Sequence, residues 1–363
     1  MRFQTLRLAA IAASAGAFLA VSAGAPALSQ QLEEVDAIIA GAINNVAMMV
    51  AADNGYWREQ GLDVRLQTLD TGSQIAKALL SGAADVGAGN ATSSIPLSRA
   101  SGSNLTFVAP YHNNPTVVNG VQRVGVIART DSGAKEGEAA SLVGKTVGVS
   151  LGSTGDNYLR GFLTESGVSP DDLNMVNLGV PEMPTALRQG TVDAVSTWEP
   201  YVSQIIREQA DDVTVVVRGG PYGASVVGIV VTDEYFANNK DTLKKYVVGA
   251  WKGMQFTRQN PEAAAQIAQR YIRDLNPVDA ASGIAFMKDE FDPRISPCTE
   301  EAIMQEQRAL IEAGRMNVSE PMPYDAIVQV EFINQLLSEN ADLVSDLAPL
   351  PASLDECGGK LKM

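Results

Sequence analysis

The hexapeptide Ser150-Leu151-Gly152-Ser153-Thr154-Gly155 brings two glycines and three hydroxyls ahead of an expected helix beginning near Asp156. Backbone N–H groups, hydroxyl donors and the positive end of a helix dipole together favour an anion. The spacing GxxxxGK[ST] is absent, so this is not a nucleotide P-loop. Other short polar stretches fall where strands should end: Asn44-Asn45, Asn90-Ala91-Thr92, Tyr111-His112 and Thr197-Trp198-Glu199, with Thr71-Gly72 opening a helix and Tyr222 in a glycine-rich turn. An asparagine there can contact a ligand through donor and acceptor alike, or cap a helix. His112 can reach a ligand or be structural. Trp198 can stack on a ligand or fill a core. A carboxylate at Glu199 would repel a simple anion and suit a zwitterion with an amine; it can equally be a cap or the partner of an arginine. No nucleophile, base and orienting group stand in a recognisable catalytic arrangement. With one histidine and two cysteines, the chain also lacks the roughly four suitably spaced ligands of a zinc site.

The elements that must position these residues are clearest between Val46 and Thr92. An apolar helical stretch runs to Gly61, which suits a left-handed cap. Leu62 to Leu69 alternates as a strand, Thr71-Gly72-Ser73 opens a helix ending at Gly82, and a short strand follows from Asp85 to Ala88. Helix, strand, helix, strand implies a parallel sheet. The plan recurs 108 positions on, the distance from Gly82 to Gly190. Leu80-Ser81-Gly82-Ala83-Ala84-Asp85-Val86 aligns without gaps on Arg188-Gln189-Gly190-Thr191-Val192-Asp193-Ala194. In the same register Asn44-Asn45 falls on Gly152-Ser153 and Asn90-Ala91 on Trp198-Glu199. One unit repeated once predicts two similar lobes. Ligands of open α/β sheets sit beyond the carboxyl ends of the strands, so the polar loops should face each other across a cleft. Apolar runs at Val121–Ala128 and Ser225–Thr232 are read as two crossings between lobes.

Several stretches carry a family resemblance. Gly55-Tyr56-Trp57 with Glu59-Gln60-Gly61-Leu62-Asp63-Val64 resembles a signature of solute-binding proteins for sulfonates, taurine and nitrate. So do Ala78-Leu79-Leu80-Ser81-Gly82, Leu142-Val143-Gly144-Lys145-Thr146-Val147-Gly148-Val149, and Gly190-Thr191-Val192-Asp193-Ala194 with Trp198-Glu199-Pro200-Tyr201. The resemblance extends over residues 35–335. It implies an α/β periplasmic binding protein of type II: two Rossmann-like lobes, two crossing strands and a cleft between them. It implies a receptor that delivers a small anion or zwitterion to the membrane subunits of an ABC importer, as a monomer and without a cofactor. The organosulfonate taurine is the first expectation, on the strength of Glu199. Nitrate, or a ring compound stacked by Tyr111, Trp198 and Tyr222, is the alternative. The resemblance also takes in pyrimidine-precursor synthases, but their cysteine-rich iron motif has no counterpart, since no cysteine precedes Cys298.

Composition sets outer bounds. A 363-residue chain with 45% hydrophobic residues can build two cores. Its formal charge of -15 disfavours nucleic acid and anionic membrane surfaces. Residues 1–29 are read as a cleavable signal peptide, with Arg2, Arg7 and an apolar run from Leu8 to Val21. No cysteine lies near the cleavage region, so a lipid anchor is not expected, and the periplasm is the expected location. Beyond the signal, lobe 1 is assigned to 32–123 and 228–345, lobe 2 to 124–227, and a tail to 346–363. In an oxidising compartment Cys298 and Cys357 either bond, fastening that tail, or stay buried and unpaired.

Overall fold

A computed structural model of the protein describes residues 32–359 apart from 70, 121 and 274. The expected signal peptide lies outside the described residues. Ten strands build two five-stranded sheets of the same design. The first holds β1 (Glu33–Ala40), β2 (Leu62–Leu69), β3 (Val86–Asn90), β4 (Leu105–His112) and β10 (Val227–Thr232), in the order β2-β1-β3-β10-β4. The second holds β5 (Val124–Arg129), β6 (Thr146–Val149), β7 (Asn174–Asn177), β8 (Ala194–Trp198) and β9 (Val213–Arg218), in the order β7-β6-β8-β5-β9. Four strands in each sheet run in one direction, and the remaining one, β10 or β5, is antiparallel to both of its neighbours. Those two strands are the ones entered after each crossing, so each lobe receives its antiparallel strand as the chain arrives from the other. The fold is mixed α/β with two lobes, as the alternating pattern of elements implied.

The repeated motif has a mechanical cause. Gly82 and Gly190 both take left-handed backbone, with φ of 73° and 72°, to turn the chain out of a helix. Three residues later an aspartate reaches a neighbouring strand. Asp85 accepts from the N–H of Asp36 at 2.9 Å and Asp193 from that of Thr146 at 2.8 Å. Each pins β3 or β8 in register beside β1 or β6, which fixes where the strand ends, and so where Asn90 and Trp198 stand. The Gly-Tyr-Trp signature is structural too. Trp57 is buried, donates to the carbonyl of Tyr246 at 2.9 Å and stacks on its ring at 4.8 Å. Gly249 leaves the room, since a Cβ there would lie 2.3 Å from the indole.

After β10 the chain remains with the first sheet. The helix Lys240–Gln259 packs on Val46–Asp53, and Gly253 lets the two approach so closely that a Cβ would meet the carbonyl of Ala47 at 2.0 Å. Further helices follow at Pro277–Phe286, Pro297–Glu312, Tyr324–Ile327 and Val330–Glu339. Cys298 and Cys357 are bonded, with Cα atoms 5.6 Å apart. The bond packs with Val118, Ala224 and Ala302, and Gly358 exchanges backbone hydrogen bonds with Thr116 and Val118. The tail is therefore clamped onto residues 116–118, ahead of the first crossing. No helix among the described residues is long and apolar enough to cross a membrane.

Candidate functional site

The carboxyl ends of β1, β3, β6 and β8 converge on a cavity of about 100 Å³ between the sheets. Asn44, Asn45, Thr71, Gly72 and Asn90 line it from the first lobe. Ser150, Gly152, Ser153, Thr154 and Trp198 line it from the second. Much of the remaining wall is apolar, from Ala40, Ala42, Ile75, Ala88, Leu151 and Val227. Asn90 joins the two sides: its amide donates to Thr154 Oγ1 at 3.0 Å and to Ser225 Oγ at 3.2 Å. Its own carbonyl is held by the N–H and hydroxyl of Thr92, at 2.9 and 2.6 Å.

The loop at Ser150–Gly155 differs from a backbone anion cradle. The N–H of Leu151 is taken by Asn177, that of Gly152 by Asp156, that of Ser153 by the Ser150 carbonyl, and that of Gly155 by Ser153 Oγ. What faces the cavity is a set of hydroxyls. Ser153 and Thr154 accept from protein partners and keep their protons to donate. Gly152, with φ of 78°, makes the turn that presents them.

Six expected residues do not line the cavity. Thr92 and Tyr111 stand behind it: Thr92 orients Asn90, and the Tyr111 hydroxyl bonds Asn45 Oδ1 while Asn45 Nδ2 holds the Ala40 carbonyl at 2.8 Å. Gly155 packs the Thr154 helix against β8 and accepts from Ser196 at 2.8 Å. Tyr222 turns its ring edge-on to Tyr158 and Phe162. His112 is sealed among Arg123, Glu290, Met287 and Phe291. Glu199 is 0% exposed; one oxygen lies 2.5 Å from Arg218 and the other accepts from the N–H of Ser203 at 3.2 Å. Burial pushes the Glu199 carboxyl up, and Arg218 opposes it. The amine-reading role expected of Glu199 therefore has no geometric support, and the arginine partner weighed against it is what the structure contains. Glu199→Gln should lower stability by about 1–3 kcal/mol, the cost of an impaired buried hydrogen-bonded group, and weaken taurine and ethanesulfonate equally. Paired titrations check this; a selective loss of taurine would restore the carboxylate to the site.

The residue that sequence reasoning missed is Arg123. Among the described residues it is the one cationic side chain in the lining, and none of them in the lining is Asp or Glu. Arg123 is 4% exposed and donates from Nη2 to Ser225 Oγ at 2.8 Å. Nη1 lies 3.5 Å from His112 Nδ1, while His112 Nε2 lies 3.1 Å from Glu290. Burial lowers the His112 pKa ahead of every other influence. The geometry fits the neutral ring, lone pair on Nδ1 toward the guanidinium and proton on Nε2 toward the carboxylate. Burial works against the Glu290 carboxylate, but His112 and Arg123 outweigh it and hold it below its usual range. Burial also pulls the guanidinium down, countered by Glu290. The result is a preorganised buried cation in the wall of the cavity. Its sequence signal was a lone arginine at the entry to the apolar run 124–128. Trp198 both lines the cavity and packs into its own lobe. Among the described residues no cluster of His, Cys, Asp and Glu could hold a metal ion.

A sequence profile for the family described as NMT1/THI5 like matches residues 42–264. The chain belongs to this family. The matched stretch covers both crossings and most of the cavity wall. Among family relatives, a taurine-binding periplasmic protein of Escherichia coli (strain K12) is 27% identical over 221 residues, 60% of this chain and 64% of that one. A binding protein of Brucella abortus (strain 2308) is 24% identical over 229 residues, 62% of this chain and 66% of the relative. The chain thus spans just under two thirds of the length of these curated relatives. The solved structure of the alkanesulfonate-binding protein SsuA from Xanthomonas axonopodis pv. citri, bound to MOPS, superposes with a TM-score of 0.71 at 15% identity, covering 82% of this chain and 98% of that chain. At that identity the likeness shows the fold alone, which is the periplasmic binding protein fold.

Proposed function

We propose that the protein is the periplasmic substrate-binding receptor of an ABC importer and that it captures a small organosulfonate by closing its lobes. The observation that carries this reading is the polarity of the cavity. One buried guanidinium, three hydroxyls of the Ser150–Thr154 loop, and polar side chains of the first lobe including Asn44, Thr71, Ser73 and Asn90 share the wall with an apolar part formed by Ala40, Ala42, Ile75, Ala88, Leu151 and Val227. Hydrogen bonds from charged groups contribute about 1.5–3 kcal/mol each, so Arg123 should dominate the recognition of an anionic head. The apolar walls and Trp198 suit a short organic body, which nitrate lacks. The taurine-binding and alkanesulfonate-binding relatives support the same class. Among the described residues of the lining no carboxylate offers an amine an ionic partner, and taurine is expected to bind no better than ethanesulfonate. Of the ring-stacking trio only Trp198 reaches the cavity, so the ring-compound alternative keeps one of its three supports. An enzymatic role is not proposed, because His112, the one histidine, is closed off behind Arg123.

A thermal-shift screen of the purified protein tests this. The panel holds ethanesulfonate, taurine, nitrate, an aromatic carboxylate and an aminopyrimidine. A ligand at 100 times its dissociation constant stabilises by about 2.7 kcal/mol, an easily read shift. Sulfonates should shift the transition and the aminopyrimidine should not. A shift with the pyrimidine alone would keep a receptor and overturn the ligand class.

A further inference from the structure

Behind the hydroxyl loop, outside the cavity, Asp156 is buried at 1% exposure. A carboxylate that deep must have its lone pairs filled. Three donors fill them from three places. The N–H of Gly152 lies 2.9 Å away in the ligand-facing loop. Arg160 Nε, one turn along the same helix, lies 2.7 Å away. Arg315 Nη2, at 2.9 Å, comes from the other lobe. Arg315 also donates from Nη1 to Asn157 Oδ1 at 2.7 Å. It follows the helix Pro297–Glu312, which inserts Ile303 into the core of the first lobe and is anchored by the Cys298–Cys357 bond. Asp156 and Asn157 lie on the helix Thr154–Glu165, which packs in the second lobe through Tyr158, Leu159 and Phe162.

We propose that Arg315 is a positioning residue for ligand capture, a brace from one lobe that sets the ligand-facing loop of the other through Asp156. The proposal rests on the binding reading above and extends it to a residue that does not line the cavity. Contact runs from the first lobe through Arg315 to Asp156, from Asp156 to the Gly152 N–H, and from Gly152 to the adjoining hydroxyls of Ser153 and Thr154. The left-handed turn at Gly152 is the part Asp156 holds. Asn90 grips Thr154 from inside the cavity at 3.0 Å, so the first lobe holds this loop from front and back. When the lobes part, Arg315 must leave Asp156 and Asn157, and Asp156 keeps one cation instead of two. The brace is thereby reversible: it is remade on each closure and strengthens the loop when a ligand is enclosed.

Because the contact forms after encounter, its loss should appear in the dissociation rate. Stopped-flow binding of ethanesulfonate to the full protein is measured for wild type, Arg315→Ala and Arg315→Lys. Arg315→Ala should raise the off-rate by about 10- to 100-fold with the on-rate within about threefold, since changes to one interface fall mainly on dissociation. Arg315→Lys, which supplies charge to Asp156 without the fork that reaches Asn157, should fall between. An unchanged off-rate in Arg315→Ala, with wild type binding normally, overturns the brace. A loss carried by the on-rate also overturns it. If wild type does not bind ethanesulfonate, the sulfonate reading falls, and small-angle scattering of the ligand-free proteins decides the brace. A larger radius of gyration for Arg315→Ala than for wild type keeps it, and equal radii overturn it.

Discussion

Arg123→Met is expected to weaken ethanesulfonate by at least about 30-fold, because truncating one partner of a buried hydrogen-bonded charge pair costs about 2–5 kcal/mol. The guanidinium is the single positive group among the described residues of the cavity lining. The variant also leaves Glu290 buried beside a neutral imidazole, and that uncompensated charge should lower stability by a similar amount. The two effects separate in the double variant Arg123→Met/Glu290→Gln. Removing the stranded charge should recover much of the stability while binding stays lost. Arg123→Lys keeps the charge but gives up the planar fork that meets Ser225 and His112 together, and should bind at an intermediate level. Titration calorimetry beside thermal unfolding checks the series. Binding of Arg123→Met within threefold of wild type would remove the guanidinium from the site.

Breaking the Cys298–Cys357 bond is the second large effect, and it should act on stability and not on binding. The bond closes a loop across a sequence separation of 59. The chain-entropy estimate for a loop of that length is about 4 kcal/mol. With an unfolding entropy of about 2.1 cal/mol/K per residue, the double variant Cys298→Ala/Cys357→Ala should melt about 6 °C lower. No described residue of the tail lines the cavity, so affinity for ethanesulfonate should stay within about threefold of wild type. Calorimetry of the double variant, and of wild type with and without reductant, reads both halves. A shift of under about 2 °C would mean that the Gly358 contacts with Thr116 and Val118 hold the tail without the bond.

The strands were legible because their signals are local. Leu62 to Leu69 alternates, apolar β4, β5 and β10 are bounded by polar loops, and the Gly-x-x-Asp pairs of Gly82 and Gly190 mark corresponding turns. The 108-residue repeat then placed β3 on β8 without a shift, Val86 on Ala194 and Asn90 on Trp198. Ten expected site residues came to the cavity for the same reason: strand ends can be read from the chain, and strand ends build the cleft.

What could not be read depends on partners far away in sequence. Arg123 becomes a cavity-lining buried cation only because residues 112, 225 and 290 meet around it. Glu199 stands at a strand end, as expected, but the turn of its side chain is decided by Arg218, on a different strand. Tyr111 and Thr92 sit at the right height in the sheet and face the layer behind the ligand wall, where they orient Asn45 and Asn90. The Ser150–Gly155 loop had the composition of an anion cradle. Its backbone donors are engaged by Asn177 and Asp156, and neither engagement follows from composition.

The central claim is that the cleft selects a negatively charged sulfur-oxygen head by means of one buried arginine. Titration calorimetry of the protein with ethanesulfonate and with ethyl methyl sulfone, a neutral analogue of similar shape, tests it most directly. The account predicts saturable one-to-one binding of the sulfonate and no measurable heat of binding for the sulfone. Equal binding of both, or binding of the sulfone alone, would contradict it, because the charge on the head would then play no part in recognition.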